Sequence, residues 1–292
     1  MQLEVARLGA MAPGRLALPG RKRMLLAWAL VLGLGQNTPA RLEVGNLRAT
    51  LGELGPPRSD WKVPLGDSLH VAFDIRGLAT DSNGRVRYRV RLEVENAQGE
   101  KVFAPEPGEV SLVNLLGGDR VRESVVMRTG LEQAPGKYRL KLTVTDLLAR
   151  GKEASVAQEF TLLPAGLAIV RVQATHDRLG QSPAPLVGSV GQMLFLNAVV
   201  VGFKRDSAKG LGHVQVELTI LDDKGKPLAS RPAVLTYADV PPGVDYLPVR
   251  FDLPLMASGS FRLVLKATDQ NAGQSTSLVV PLGVSDGSGR IP

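Results

Sequence analysis

Two stretches of this chain nearly repeat each other: residues 136–146 read GKYRLKLTVTD and residues 259–269 read GSFRLVLKATD. The pairing aligns Gly136 with Gly259, Tyr138 with Phe261, Arg139 with Arg262, Leu140 with Leu263, Leu142 with Leu265, Thr145 with Thr268 and Asp146 with Asp269. It continues upstream. GDSLHVAFDIRGLATDSNG (66–84) parallels GQMLFLNAVVVGFKRDSAKG (191–210), and VRYRVRLEVENAQGEKV (86–102) parallels GHVQVELTILDDKGKPL (212–228). The starts correspond too, RLEVGNLRAT (41–50) with LAIVRVQATH (167–176). A period of roughly 125 residues is too long for a solenoid repeat and has the size of a domain. The chain is therefore a domain duplication.

Each unit reads as a run of short strands. In 136–146, Tyr138, Leu140, Leu142 and Val144 alternate with Arg139, Lys141, Thr143 and Thr145. Tyr88, Val90, Leu92 and Val94 alternate with Arg87, Arg89, Arg91 and Glu93. Period two sends one set to a core and the other to water. Turn signals separate the runs: SNG (82–84), AQG (97–99), APG (134–136), DKG (223–225) and SG (258–259). No stretch has the period of an amphipathic helix. About seven strands per ~120 residues predict an all-β protein of two tandem antiparallel sandwiches. The predicted units are 41–164 and 165–285, joined by the short LLPAGLA (162–168), with 286–292 a flexible tail.

The segment PGKYRLKLTVTD resembles the penultimate strand of bacterial immunoglobulin-like and fibronectin type III-like modules. There a Pro/Gly turn enters a strand carrying an aromatic residue and then alternating aliphatics. Tyr138 stands where such folds place a corner tyrosine; Phe261 has no hydroxyl to make that bond. The resemblance implies an immunoglobulin-like sandwich in each repeat, of the kind used extracytoplasmically for adhesion, spacing or assembly. Fold alone assigns no activity.

Residues 21–40, RKRMLLAWALVLGLGQNTPA, place a basic cluster before twelve mostly apolar residues and a short polar stretch ending in small ones. That is the order of a secretory signal, and residues 1–40 are read as a signal peptide or leader. An apolar run of twelve is shorter than the ~20 residues of a spanning helix. Membrane contact is thus expected only through the leader, if it stays uncleaved. The leader also holds Arg7, Arg15, Arg21, Lys22 and Arg23 against Glu4 alone. Residues 41–292 are left with 30 basic and 27 acidic residues, so most of the net charge of +7 lies outside them. So even a balance excludes an electrostatic footprint for nucleic acid. The chain has no cysteine, which excludes disulfides, thiolate nucleophiles and Cys-held zinc or iron–sulfur centres.

Catalytic chemistry finds little purchase. The three histidines, His70, His176 and His213, are scattered, read as surface or turn residues, and sit in no nucleophile or zinc motif. Asp146 and Asp269 recur at matching strand ends, and Asp81 and Asp206 in matching loops; Asp222 and Asp223 sit in a DDKG turn. The Asp81–Gly84 segment has calcium-type oxygens without the EF-hand spacing, and Asx-turn capping is the preferred reading. No cofactor, no metal and no enzymatic activity are expected.

One feature suggests a surface. In RVRYRVRLEVE (85–95), Arg85, Arg87, Arg89 and Arg91 fall on one strand face, and a neighbouring strand 136–146 brings Arg139 and Lys141 to it. The expectation is an exported, non-enzymatic module of the cell envelope that binds or spaces another envelope or extracellular protein. The alternative is an accessory protein holding an anionic glycan or polymer on this basic face.

Overall fold

The computed structural model describes residues 3–4, 41–115 and 120–287. The signal-like run 21–40 and the last residues, 288–292, lie outside the described residues. Among the described residues nineteen strands follow one another and there is no helix. The first ten are β1 (Leu3–Glu4), β2 (Glu43–Thr50), β3 (Lys62–Val63), β4 (Ser68–Arg76), β5 (Arg85–Asn96), β6 (Lys101–Phe103), β7 (Gly108–Val113), β8 (Arg120–Arg128), β9 (Gly136–Asp146) and β10 (Lys152–Leu162). The second unit holds β11 (Ala168–Thr175), β12 (Pro183–Ala184), β13 (Val187–Ser189), β14 (Met193–Val201), β15 (Gly212–Leu221), β16 (Ala233–Val240), β17 (Leu247–Pro254), β18 (Gly259–Asp269) and β19 (Gln274–Ser285).

Each unit is a sandwich of two sheets. In the first, the order β1-β8-β4-β2 faces β3-β10-β9-β5-β6, with β7 also paired to β5. In the second, β12-β11-β14-β17 faces β13-β19-β18-β15-β16. The principal strands pair antiparallel, while β3 and β13 run parallel to β10 and β19. In both units the chain thus leaves the first sheet after its opening strand and touches the last strand of the second. Two tandem immunoglobulin-like sandwiches are the class this topology defines.

The alternation seen in the sequence makes the cores. Leu69, Phe73, Ile75, Tyr88, Met127, Leu140, Leu142 and Leu162 are fully buried in the first sandwich. Leu194, Leu196, Leu263 and Leu265 are so in the second. Each such side chain stabilises the fold by about 1.5–3 kcal/mol relative to exposure. Tyr138 stacks on Phe160 at 5.6 Å, and its hydroxyl donates to the Ala134 carbonyl at 2.7 Å, closing the corner expected of it.

The duplication extends to irregularities. The opening strand of each unit carries a bulge, between Gly45 and Arg48 and between Val170 and Gln173. Each bulge holds a non-glycine residue in the left-handed region, Asn46 at φ 55° and Arg171 at φ 51°. Asn tolerates that region; Arg does so only at a cost.

Arg171 is held there by the first sandwich and by a ring of its own unit. Its N–H donates to Asp67 Oδ1 at 2.6 Å, its Nε donates to the Gly66 carbonyl at 2.9 Å, and its guanidinium lies 4.4 Å over the Tyr246 ring. Asp67 is 2% exposed and also accepts from Arg58 Nη2 at 2.5 Å and from the Ser68 N–H at 2.8 Å. Leu51 of the first unit packs into the second core. Gly202, at φ 73°, meets the linker so closely that a Cβ would stand 2.0 Å from the Gly166 carbonyl oxygen. The two sandwiches therefore meet through a built joint.

Candidate functional site

The arginine row lies where the sequence places it along one strand. β5 pairs with β9 on one side, and its first half pairs with β7 on the other. Arg85, Arg87 and Arg91 are exposed and Arg89 is half-covered, all on the face away from the core. Arg89 bonds to Glu109 on β7. Arg85, Arg87 and Arg91 make no ion pair among the described residues. Arg139 and Lys141 share the outer face, and their register partners on β5 are Glu95 and Glu93. Glu159 stands opposite Arg139 on the far side, and Lys101 holds Glu93 at 2.5 Å. The hydrogen bond and charge of Lys101 hold the Glu93 carboxyl below its ordinary range. The face thus divides. One half is the arginine row, and the other is a mixed field that contains Arg139 and Lys141.

A second basic cluster escaped the sequence reading. On the outer face of β4, Asp74 is 5% exposed and ringed by guanidinium groups. Arg120 and Asn46 donate to Oδ2, Asn46 at 2.5 Å. Arg48 Nη2 and Arg122 Nε lie 3.6 and 3.5 Å from Oδ1. Burial alone pushes this carboxyl up; the Arg120 and Asn46 hydrogen bonds, with the charges of Arg120 and Arg48, outweigh it and bring the pKa below the ordinary value. The signal was hidden because the residues come from three strands spaced 26 or more positions apart, which only the sheet order brings together. A groove of about 300 Å³ lies beside Asp74.

The recurring aspartates serve the backbone. Asp146 accepts from the Ala79, Leu148 and Ala149 N–H groups, and Asp269 likewise from those of Lys204, Asn271 and Ala272. Asp81 accepts from Asn83 and Arg85, Asp206 from Ala208, Lys209 and Leu211, and Asp222 from Lys226. These N–H bonds hold Asp81 and Asp206 below the usual carboxylate range. Carboxylates spent this way stabilise turns.

His176 is exposed in a turn and His213 opens β15. His70 departs from the expected surface position. It lies mid-strand on β4, half-covered, and desolvation lowers its pKa to about 4 against the opposing charge of Asp67. The neighbouring Arg58 and Arg128 charges push it the same way.

The repeats also differ in how their sheets close at the edge. In the second, an apolar cleft of about 430 Å³ opens between β16 and β17, lined by Leu218, Leu228, Phe251 and Leu253 among others. Its counterpart in the first is about 20 Å³, with Pro105 and Val110 at its wall.

No protein-family model matches the chain, and no curated protein sequence matches it. Solved structures to which the chain is similar include the C-terminal domain of the Streptococcus agalactiae AgI/II polypeptide BspA. It is 8% identical over 83% of this chain and 99% of that one, with a TM-score of 0.29. The C-terminal domain of the Streptococcus pyogenes antigen I/II-family protein AspA is 9% identical over 84% and 99%, at 0.27. Clostridium thermocellum CbhA fibronectin(III)-like modules are 11% identical over 84% and 97%, at 0.23. At such values the likeness assigns no activity.

Proposed function

We infer that this chain is an exported, non-enzymatic module of the cell envelope that binds or spaces a protein partner. The observation that carries the reading is the joint: a buried carboxylate, Asp67, accepts the Arg171 N–H, while the Arg171 side chain spans Gly66 and Tyr246. A joint so built fixes the spacing between two sandwiches, which is what a spacer or docking arm needs and a flexible linker does not provide. The aspartates that recur in both units are committed to turns, which supports a structural over a catalytic role.

Cross-linking of the native protein in cells, with mass spectrometry of the envelope fraction, tests this. One dominant protein neighbour is the expected result. Recovery in the cytosol, or no protein neighbour at all, overturns it.

A second reading has its own observation. Arg85, Arg87 and Arg91 stand in one row without ion pairs among the described residues, spaced as a repeating anionic polymer would meet them. Retention on purified wall polymer that disappears in Arg87→Glu/Arg91→Glu supports this alternative; retention unchanged by those substitutions removes it.

A further inference from the structure

The duplication gives each pole of the first sandwich a counterpart in the second. Strand registers match Arg48 to Gln173, Asp74 to Val199 and Arg76 to Val201; one residue beyond the β14–β17 register Arg120 matches Tyr246, and the two left-handed bulge residues match Asn46 to Arg171. In the second sandwich this pole is a receptor. It takes the Gly66–Asp67 turn of the first: the Arg171 N–H binds the Asp67 carboxylate, and a Cβ on Gly66 would stand 3.2 Å from Tyr246 and 3.4 Å from Val201.

The same pole of the first sandwich carries a groove of about 300 Å³ lined by Glu43, Val44, Gly45, Asn46, Asp74 and Arg76. Here the apolar flank of Val201 and Tyr246 is replaced by Arg76 and Arg120, and Arg48 and Arg122 stand beside them. Four guanidinium groups outnumber the two carboxylates, Asp74 and Glu43. Asp74 Oδ1 is buried and accepts no hydrogen bond among the described residues; Arg48 Nη2 and Arg122 Nε balance its charge from 3.6 and 3.5 Å.

We propose that this pole docks a partner domain through an acidic turn, whose carboxylates meet Arg76, Arg120 and Arg122. The proposal rests on the protein-partner reading above and names the surface and the partner's chemistry. Charge selects the occupant. Residues 1–40 carry five basic residues against one acid and do not complement the pole. A second copy of the chain offers Gln192 where Asp67 has its counterpart, beside exposed Val190 and Met193 and near Met256.

The test places a photo-reactive amino acid at exposed Glu43, and separately at Arg91 as a control, in the full chain in its own cells. Mass spectrometry then maps the captured peptide. The expected result is capture from position 43 of a partner peptide bearing an Asp- or Glu-rich turn. Capture should fall about tenfold in Arg76→Ala/Arg122→Ala and persist in Arg76→Lys/Arg122→Lys. Both arginines are exposed, and an unchanged thermal unfolding midpoint verifies that the variants fold. Capture of a second copy, capture of a peptide without acidic residues, or insensitivity to the alanine pair overturns the proposal. If position 91 captures a protein and position 43 does not, the pole is rejected while the protein-partner reading stands. If neither position captures a protein, both fall.

Discussion

The Tyr88 hydroxyl donates to the Glu123 carboxylate between the two sheets of the first sandwich, and the equivalent pair in the second is Val214 with Val249. Burial pushes the Tyr88 phenol far up, with the Glu123 charge adding to it, and burial also raises the Glu123 carboxyl against the pull of its hydrogen bonds. The bulk beside this pair is exchanged across the sandwich: Phe73 and Val125 in the first unit become Ala198 and Phe251 in the second. One ancestral core has thus been filled in two ways, polar and apolar.

The exchange makes a prediction about stability. Glu123→Ala leaves the Tyr88 hydroxyl buried without its acceptor and should cost about 1–3 kcal/mol. Tyr88→Phe with Glu123→Leu removes both polar partners and should cost less than Glu123→Ala alone. Urea unfolding of Tyr88→Phe, Glu123→Leu and the double that combines them measures the coupling, expected at about 0.5–3 kcal/mol. An additive cycle would mean that the hydrogen bond contributes nothing to folding.

His70 predicts a pH dependence. Its folded pKa is about 4, below the ordinary histidine value, so between those limits the unfolded chain binds more protons. Stability from this site is therefore complete above about pH 6.5 and is lost progressively as pH falls toward 4. The loss should reach about 1–3 kcal/mol. His70→Gln should flatten that part of the curve, read by urea unfolding at a series of pH values. A slope unchanged by the substitution would place the titration elsewhere.

The corner bond is a smaller, local term. Tyr138→Phe keeps the stacking on Phe160 and removes only the donation to Ala134, giving the first unit the residue type that the second already carries at Phe261. The expected loss is about 0.5–1.5 kcal/mol, with unchanged domain structure by circular dichroism. A null effect would show that water satisfies the Ala134 carbonyl equally well.

These residues also show what was legible in the sequence. Alternation along 86–94 and 138–144 declares the core side of each strand because period two is local, and the repeat itself supplies the two-sandwich fold. The Asx turns at Asp81 and Asp206 are local in the same sense. The Tyr88–Glu123 pair, the Asp74 cluster and the cover over His70 are not. Each depends on which strands become neighbours or face each other, and Glu123 even breaks the alternation by placing a carboxylate on the core side of β8. The arginine row was legible as a row. That Arg139 and Lys141 meet Glu95 and Glu93 needed the register.

The joint carries the sharpest prediction, because backbone rather than side chain stands in the way. At Gly202 an alanine Cβ would meet the Gly166 carbonyl oxygen at 2.0 Å and its carbon at 2.5 Å, with φ at 73°. Gly243 has a similar φ of 88° and nothing within 4 Å of the added Cβ. Gly243→Ala therefore reports only the left-handed penalty of about 1–2 kcal/mol, and Gly202→Ala reports that penalty plus the clash. Gly202→Ala should broaden the distance distribution between spin labels placed on the two sandwiches, while Gly243→Ala leaves it narrow. Arg171 should grade the same readout. Arg171→Asn and Arg171→Ala both keep the N–H to Asp67 and lose the Gly66 bond and the Tyr246 stacking, but Asn is at ease with φ 51° and Ala keeps the strain, so Arg171→Asn should broaden the distribution less. Identical narrow distributions in all four variants would show that the short linker, not the Asp67–Arg171 contact, sets the angle.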